Sequence, residues 1–469
     1  MLGVVLSLCS CSDWLNVEPK TNIEEKDLFK NEQGFKEALT GVYIKMGSTD
    51  LYGREMTYGF MDILAQRYEN AQNQNANYSD ASVWYTYPST RTQPYTDAFW
   101  SNDYNLIANL NNLLANIEER GSVITTDGYR DIIKGEALGL RSFLYFDLLR
   151  MFGPIYKDNP TSPSIPYRTE FDRDVAKLLP ANEVIDHIIA DLKEAEQLLE
   201  NDPMNISFPT WGAETGFLSN RFNRMNKYAV KAELARAYLW KGDKTNAALK
   251  ATEVINAPTS GGGRRFALIT DNTLDKLGST ELIFALNMDA ETFADQVEND
   301  FALTGWSYYV LMNVNKLYTI FDTSTDGMND MRVKEGTGFT VNDNGAVTLK
   351  YSQENLPSPA LKNTMPLIRL SEMYYILAEC TDNLNEAATW LSVVRSARGI
   401  DEVTFKNESD KQAQIEKEYR KEFYAEGQLW YFYKRLAYTT FQSCPVENMT
   451  EKNYRFPIPD DETILGNIN

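Results

Sequence analysis

Ala235-Arg236-Ala237-Tyr238-Leu239-Trp240-Lys241-Gly242-Asp243-Lys244-Thr245-Asn246-Ala247 and Tyr375-Ile376-Leu377-Ala378-Glu379-Cys380-Thr381-Asp382-Asn383-Leu384-Asn385-Glu386-Ala387 share one register. In the first, Ala235 and Tyr238 precede the pair Gly242-Asp243 and then Ala247; in the second, Tyr375 and Ala378 precede Asp382-Asn383 and then Ala387, at the same offsets. Alanines let two helices cross closely, and a pair of turn-forming residues ends one helix and starts the next. Each copy therefore reads as a helical hairpin that cannot bury its apolar face alone and must stack on neighbours.

This spacing is the tetratricopeptide pattern. Helical periodicity extends outward from it, over 25–46, 97–119, 129–151, 181–200, 225–241, 244–256, 368–381, 384–398 and 411–436. Between these runs lie 47–96, 152–180, 201–222, 257–366 and 437–469, rich in Gly, Pro, Asn, Ser and aromatic residues. Loops of that length inside a compact protein usually carry function or small sheets of their own. The expected fold class is all-α dominated, a tetratricopeptide-like α-α superhelix with an irregular loop-rich lobe containing little β structure. The scaffold is assigned to about 25–46, 97–256 and 368–436, and the ligand-binding lobe to 47–96, 257–366 and 437–469.

The chain has 469 residues, 43% hydrophobic and 24% charged, which is ordinary soluble usage and enough to fold without metal or disulfide staples. Cys9 and Cys11 lie at the N-terminus, Cys380 and Cys444 in distant helical sequence, so neither a disulfide framework nor zinc spacing is visible. A net charge of −20 argues against nucleic acid, whose phosphates need a basic face. It also favours a neutral ligand, although a local basic pocket remains compatible with an acidic whole. The only histidine, His187, sits on the margin of an apolar helix face, which leaves no material for Ser-His-Asp, Cys-His or multi-histidine metal sites.

Residues 2–8 form an apolar run ending in Leu8-Cys9-Ser10-Cys11, too short to span a bilayer and similar to a lipoprotein signal with its lipobox. Small Ser10 precedes Cys11 and bulky Leu8 precedes Cys9, so Cys11 is the expected acylation site, although no basic residue precedes Lys20. Residues 1–11 are read as the signal and 12–469 as a single unit. Acyl chains on Cys11 would tether the protein at about 0.8 kcal/mol per buried methylene.

Six landmarks in order resemble one family, SusD/RagB. They are Asp13-Trp14-Leu15-Asn16-Val17-Glu18-Pro19 after Cys11; the helix from Gly135 ending in Arg150-Met151-Phe152-Gly153-Pro154; and Arg224 through Asp243 with Ala232-Glu233-Leu234-Ala235-Arg236-Ala237-Tyr238-Leu239. Next come Arg369 through Glu379 with Val394-Arg395-Ser396-Ala397-Arg398-Gly399, and Glu418 through Trp430, similar to Glu-Arg-x-x-Glu-Phe-x-x-Glu-Gly-x-x-Trp with Tyr419 in place of the usual arginine. Pro457-Ile458-Pro459 before Asn467-Ile468-Asn469 completes the set. The resemblance implies about four tetratricopeptide-like units and a TonB-dependent SusC-like barrel as partner. It further implies an outer-membrane, cell-surface location and a nutrient ligand, mainly oligosaccharide and in some members peptide.

A sugar offers an apolar C–H face rimmed with hydroxyls, so its site combines exposed rings with a few polar groups. The candidates are Trp84, Tyr85 and Tyr87 with Arg91 and Tyr95; Trp306, Tyr308 and Tyr309; and Trp211 in Pro209-Thr210-Trp211-Gly212. Trp100, Tyr104, Tyr145, Phe146, Tyr374, Trp390 and Trp430 have helical spacing and belong to the core. No catalytic residue and no cofactor is expected. Structural calcium could use acidic loops such as 322–330, for which solvated turn carboxylates are the simpler reading. The competing functions are a peptide-binding tetratricopeptide importer subunit or adaptor, and a glycoside hydrolase using two carboxylates. Nothing singles out a carboxylate pair for the latter, since Glu372, Glu379 and Glu426 are accounted for by repeat packing and ion pairs.

Overall fold

The computed structural model describes residues 25–68, 78–172, 174–204, 216–301, 303, 310–354 and 356–465. Its long helices are Glu32–Met46, Gln93–Arg120, Tyr129–Phe152, Ala181–Leu198, Lys227–Lys241, Lys244–Ile255, Leu370–Cys380, Leu384–Ala397 and Glu408–Glu422, and each packs on the next. That serial stacking is the α-α superhelix expected from the repeats. Ala235, Ala247, Ala378 and Ala387 are fully buried at the crossings. A larger side chain there would overpack the contact at about 1–3 kcal/mol. Gly139 serves the same purpose: a Cβ on it would lie 2.6 Å from Met225 Cγ.

The two turn pairs behave as their residue types dictate. Gly242 ends its helix at φ +87°, and the Asp243 carboxylate accepts the Asn246 N–H at 3.1 Å to start the next. In the second hairpin Asn383 caps, accepting from Asn385 and Glu386 at 3.0 and 3.3 Å.

Two expected helices are broken. Residues 25–46 form Glu25–Leu28 and then Glu32–Met46, restarted by Asn31, whose side chain accepts the Gly34 N–H. Residues 411–436 form Glu408–Glu422 and Gln428–Arg435. The break is enforced from afar, because Asp62 accepts the N–H groups of Ala425 and Gly427 at 2.7 and 3.0 Å, and both residues are left-handed. Gly427 also approaches the Met56 carbonyl so closely that a Cβ would sit 2.6 Å away.

The irregular part contains three two-stranded antiparallel sheets. The principal one pairs Leu282–Asn287 with Thr364–Arg369, and the second strand runs straight into the Leu370–Cys380 helix. Arg369, at that junction, donates to Glu281, Glu422 and Glu426. The stretch 47–96 is not wholly a working surface. Apart from Arg54, residues 51–68 are buried and form part of the core.

The acidic residues expected in loops and scaffold are mostly paired. Glu372 takes Arg236 through both oxygens at 2.7 and 2.6 Å, Glu379 takes Arg435, and Glu426 takes Arg369 and Lys350. In the 322–330 loop, Asp322 pairs with Lys417 and Lys421, Asp326 with Arg395 and Asp330 with Arg332. Those carboxylates are engaged by protein cations. Among the described residues, no group of three or more His, Cys, Asp and Glu side chains is placed to hold a metal ion.

Burial opposes ionisation of Glu418, but Arg332, Lys421 and Arg395 outweigh it and hold the carboxyl at about 2, against an ordinary 4.5. A depressed carboxylate contributes stability above its unfolded value and loses it as pH falls toward its folded one. Denaturant midpoints should therefore drop between the ordinary carboxylate range and about pH 2. Glu418→Gln should cost about 3–5 kcal/mol at neutral pH and flatten this acid limb. Asp103 has the opposite sign. Fully buried, with both oxygens lacking a hydrogen-bond partner, it is pushed well up by burial and by Asp147. Such a group lowers stability as pH rises above its unfolded value. Asp103→Asn should gain in melting temperature over the parent as pH is raised, and lose that advantage in acid.

Candidate functional site

Ser79–Trp84 is a six-residue helix that ends on Tyr85 in the left-handed conformation, φ +49°. The Tyr85 N–H donates to the Ala81 carbonyl at 3.1 Å and the Thr86 N–H to the Asp80 carbonyl at 3.0 Å, a closure usually built on glycine. After it the chain alternates, with Trp84, Thr86 and Pro88 outward and Tyr85 and Tyr87 inward. The Trp84 side chain is 65% exposed.

Tyr85 and Tyr87 are therefore corrected from ligand candidates to core residues. Tyr85 stacks on Trp430 with ring centres 5.3 Å apart, and its hydroxyl donates to the Leu64 carbonyl at 3.0 Å. Tyr87 packs on Phe456 at 4.7 Å and donates to the Asn453 carbonyl. Burial raises both hydroxyls above their ordinary value, so they are neutral donors. Period-two alternation in Trp84-Tyr85-Thr86-Tyr87 was the available signal for this split.

Arg91 is exposed, its guanidinium donating to Ser79 Oγ at 3.2 Å and lying 3.9 Å from the Asp80 carboxylate. Asp80 is four residues before Trp84 in the same helix and thus on the same face, a neighbour of the candidate ring that its spacing already indicates. Tyr95 is half-buried, stacked on Tyr78 at 5.1 Å and on Phe60 at 5.5 Å. Glu55 secures this wall from below, accepting the Tyr78 hydroxyl at 2.9 Å and the Phe60 N–H at 3.1 Å. The result is an exposed indole on a fixed turn, with a carboxylate one helical turn back and a guanidinium tied to the same helix.

Trp211, Trp306, Tyr308, Tyr309 and Cys11 lie outside the described residues. The segment bearing Trp306 is preceded by Phe301, which packs on Tyr58 and Tyr351 at 4.8 and 5.3 Å, while Tyr58 donates to Asp300 at 2.8 Å. The aromatic residues assigned to the core are there: Trp100, Tyr145, Phe146, Tyr374 and Trp430 are buried, Tyr104 and Trp390 half-buried against the core. His187 is exposed at its helix edge, stacked on Tyr167 at 5.0 Å. Among the described residues no helix is long and apolar enough to cross a membrane.

Comparison with known proteins places this geometry. Residues 13–239 match a family model described as starch-binding associating with outer membrane, and residues 209–464 match the model of the SusD family. SusD-like protein P38 of Formosa agariphila is 23% identical over 97% of this chain and 93% of its own length. SusD-like protein P2 of the same organism is 26% identical over 54% of this chain, a match spanning only 45% of that relative. A structure described as a laminarin binding SusD-like protein superposes with a TM-score of 0.64 at 18% identity, covering 92% of this chain and 97% of that one. Other SusD superfamily structures share the fold to the same degree. With more than half its length matched by the family model, and with the repeat scaffold that its superfamily's structures display, this chain belongs to the SusD family.

Proposed function

We propose that the protein captures an oligosaccharide at the outer surface of the outer membrane and delivers it to a TonB-dependent SusC-like transporter, tethered through acylated Cys11. The observation that carries this reading is the solvent-facing indole of Trp84, held on a turn whose next side chain is locked in the core. An apolar ring lying open to water gains by covering the C–H face of a sugar, while Asp80 and Arg91 offer an acceptor and donors to its hydroxyls. Family membership supports the reading, as does the laminarin-binding relative of the same fold. Trp306, Tyr308, Tyr309 and Trp211 are proposed to complete the ligand surface.

The turn also separates two kinds of substitution. Isothermal titration of the form truncated after Cys11, against a panel of neutral glycans, should show Trp84→Ala weakening affinity by about 1–3 kcal/mol with an unchanged denaturant midpoint. Trp306→Ala should act in the same way. Tyr85→Ala should instead destabilise the fold by about 3–5 kcal/mol, because it empties a ring-sized space against Trp430. Unaltered glycan affinity in both tryptophan variants discards the assignment.

A further inference from the structure

The Ser79–Trp84 helix is closed by the Tyr85 and Thr86 N–H groups, which go to the Ala81 and Asp80 carbonyls. A continuing helix would have turned those donors toward the Ser82 carbonyl instead. Ser82 is buried, so its carbonyl needs a donor from elsewhere in the protein. Gln66 supplies it. Its side-chain amide donates to the Ser82 carbonyl at 2.6 Å and to the Tyr85 hydroxyl at 3.2 Å, and that hydroxyl donates onward to the Leu64 carbonyl at 3.0 Å.

Gln66 reaches this position against its own backbone preference. Its φ is +56°, in the left-handed region where a Cβ is unfavourable and glycine would sit without strain. Glycine has no amide, however. A terminal NH₂ group carries two hydrogens in one plane, and here one goes to the main chain of the helix and the other to the phenol of the residue that ends it. Methionine, of similar length, has neither. Gln66 is 4% exposed, so water does not replace these bonds. Two side-chain-bearing residues in the left-handed region, Gln66 and Tyr85, are thus bonded to each other, and Tyr85 follows the exposed Trp84. Strain of this kind persists where the surroundings over-determine it, as they do at ligand-contacting turns.

We propose that Gln66 is a positioning residue for the Trp84 face: its two donors hold the backbone from which the indole leaves, and it does not itself touch the ligand. Its bearing on binding rests on the role given to Trp84; its hold on the turn does not.

The first test is amide hydrogen exchange of the ligand-free protein truncated after Cys11. In Gln66→Met the Ser82, Tyr85 and Thr86 amides should lose protection about tenfold or more, while those of Ala235–Leu239 stay as in the parent. Gln66→Gly, which relieves the strain but also lacks the amide, should lose protection at the same three positions. Undiminished protection in Gln66→Met overturns the proposal. So does protection in Gln66→Gly equal to the parent's, which would leave the amide without a role. Binding is read separately, by titration with maltohexaose and laminarihexaose. Gln66→Met should weaken the sugar that binds about fivefold, and adding it to Trp84→Ala should weaken binding no further, because the amide acts through that residue. Affinity lowered by Trp84→Ala but not by Gln66→Met overturns the positioning role. Absence of binding, or a Trp84→Ala variant with parental affinity, sinks the reading of the ring, and exchange alone then decides on Gln66.

Discussion

Glu422 is buried between three guanidinium groups, with Arg332 at 2.8 Å, Arg369 at 2.6 Å and Arg398 at 2.6 Å. The three come from different parts of the chain: the irregular segment before the Phe339–Asn342 strand, the end of the Thr364–Arg369 strand, and the end of the Leu384–Ala397 helix. Glu281, Glu418 and Glu426 close the network around them. Taking this many charges out of water is expensive, and their mutual attraction does little more than offset that cost. What the network supplies is registry. Displacing any one segment strands a charge, so the irregular strands and the last repeat helices can meet in only one way.

The same constraint explains the aromatic excess. Tyrosines add a further partner to buried carboxylates that already hold a cation, since Glu136 pairs with Arg221 and Arg224, Asp147 with Arg150 and Glu55 with Arg54. Tyr43 donates to Glu136 at 2.6 Å, Tyr52 to Asp147 at 2.7 Å, Tyr58 to Asp300 at 2.8 Å and Tyr78 to Glu55 at 2.9 Å. A phenol satisfies a carboxylate oxygen while its ring fills the core, which an ammonium cannot do. These tyrosines are thus interior partners of buried acid, and composition alone overstates how many of the 27 rings face a ligand.

This sets what was legible in the sequence. The long helices were, because each carries enough turns of 3.6-residue periodicity to stand out, and the caps at Gly242-Asp243 and Asn383 are local chemistry. The break at 423–427 was not, because it depends on Asp62, a residue far upstream that no window around the helix contains. The candidate site was legible in part. Trp84 and Arg91 were named by type and lie on the surface, Asp80 was not named although its spacing puts it beside Trp84, and Tyr85 and Tyr87 are buried, a cluster of rings having been taken as one surface. Burial of 51–68 left no local mark either, since Gly, Tyr and Met serve a loop and a tightly packed core alike.

The network and the exposed indole are joined by a short run of contacts. Glu422 fixes the end of the Glu408–Glu422 helix, and Asp62 fixes the turn that follows it. That turn sets the direction of the Gln428–Arg435 helix, whose Trp430 is fully buried and receives the Tyr85 ring. Tyr85 occupies a left-handed conformation that a residue with a Cβ adopts at a cost, and the stack against Trp430 offsets it. Trp84 precedes Tyr85 on the same strained turn and is turned outward by it. The backbone that carries a ring into water is thereby placed by charges buried in the core.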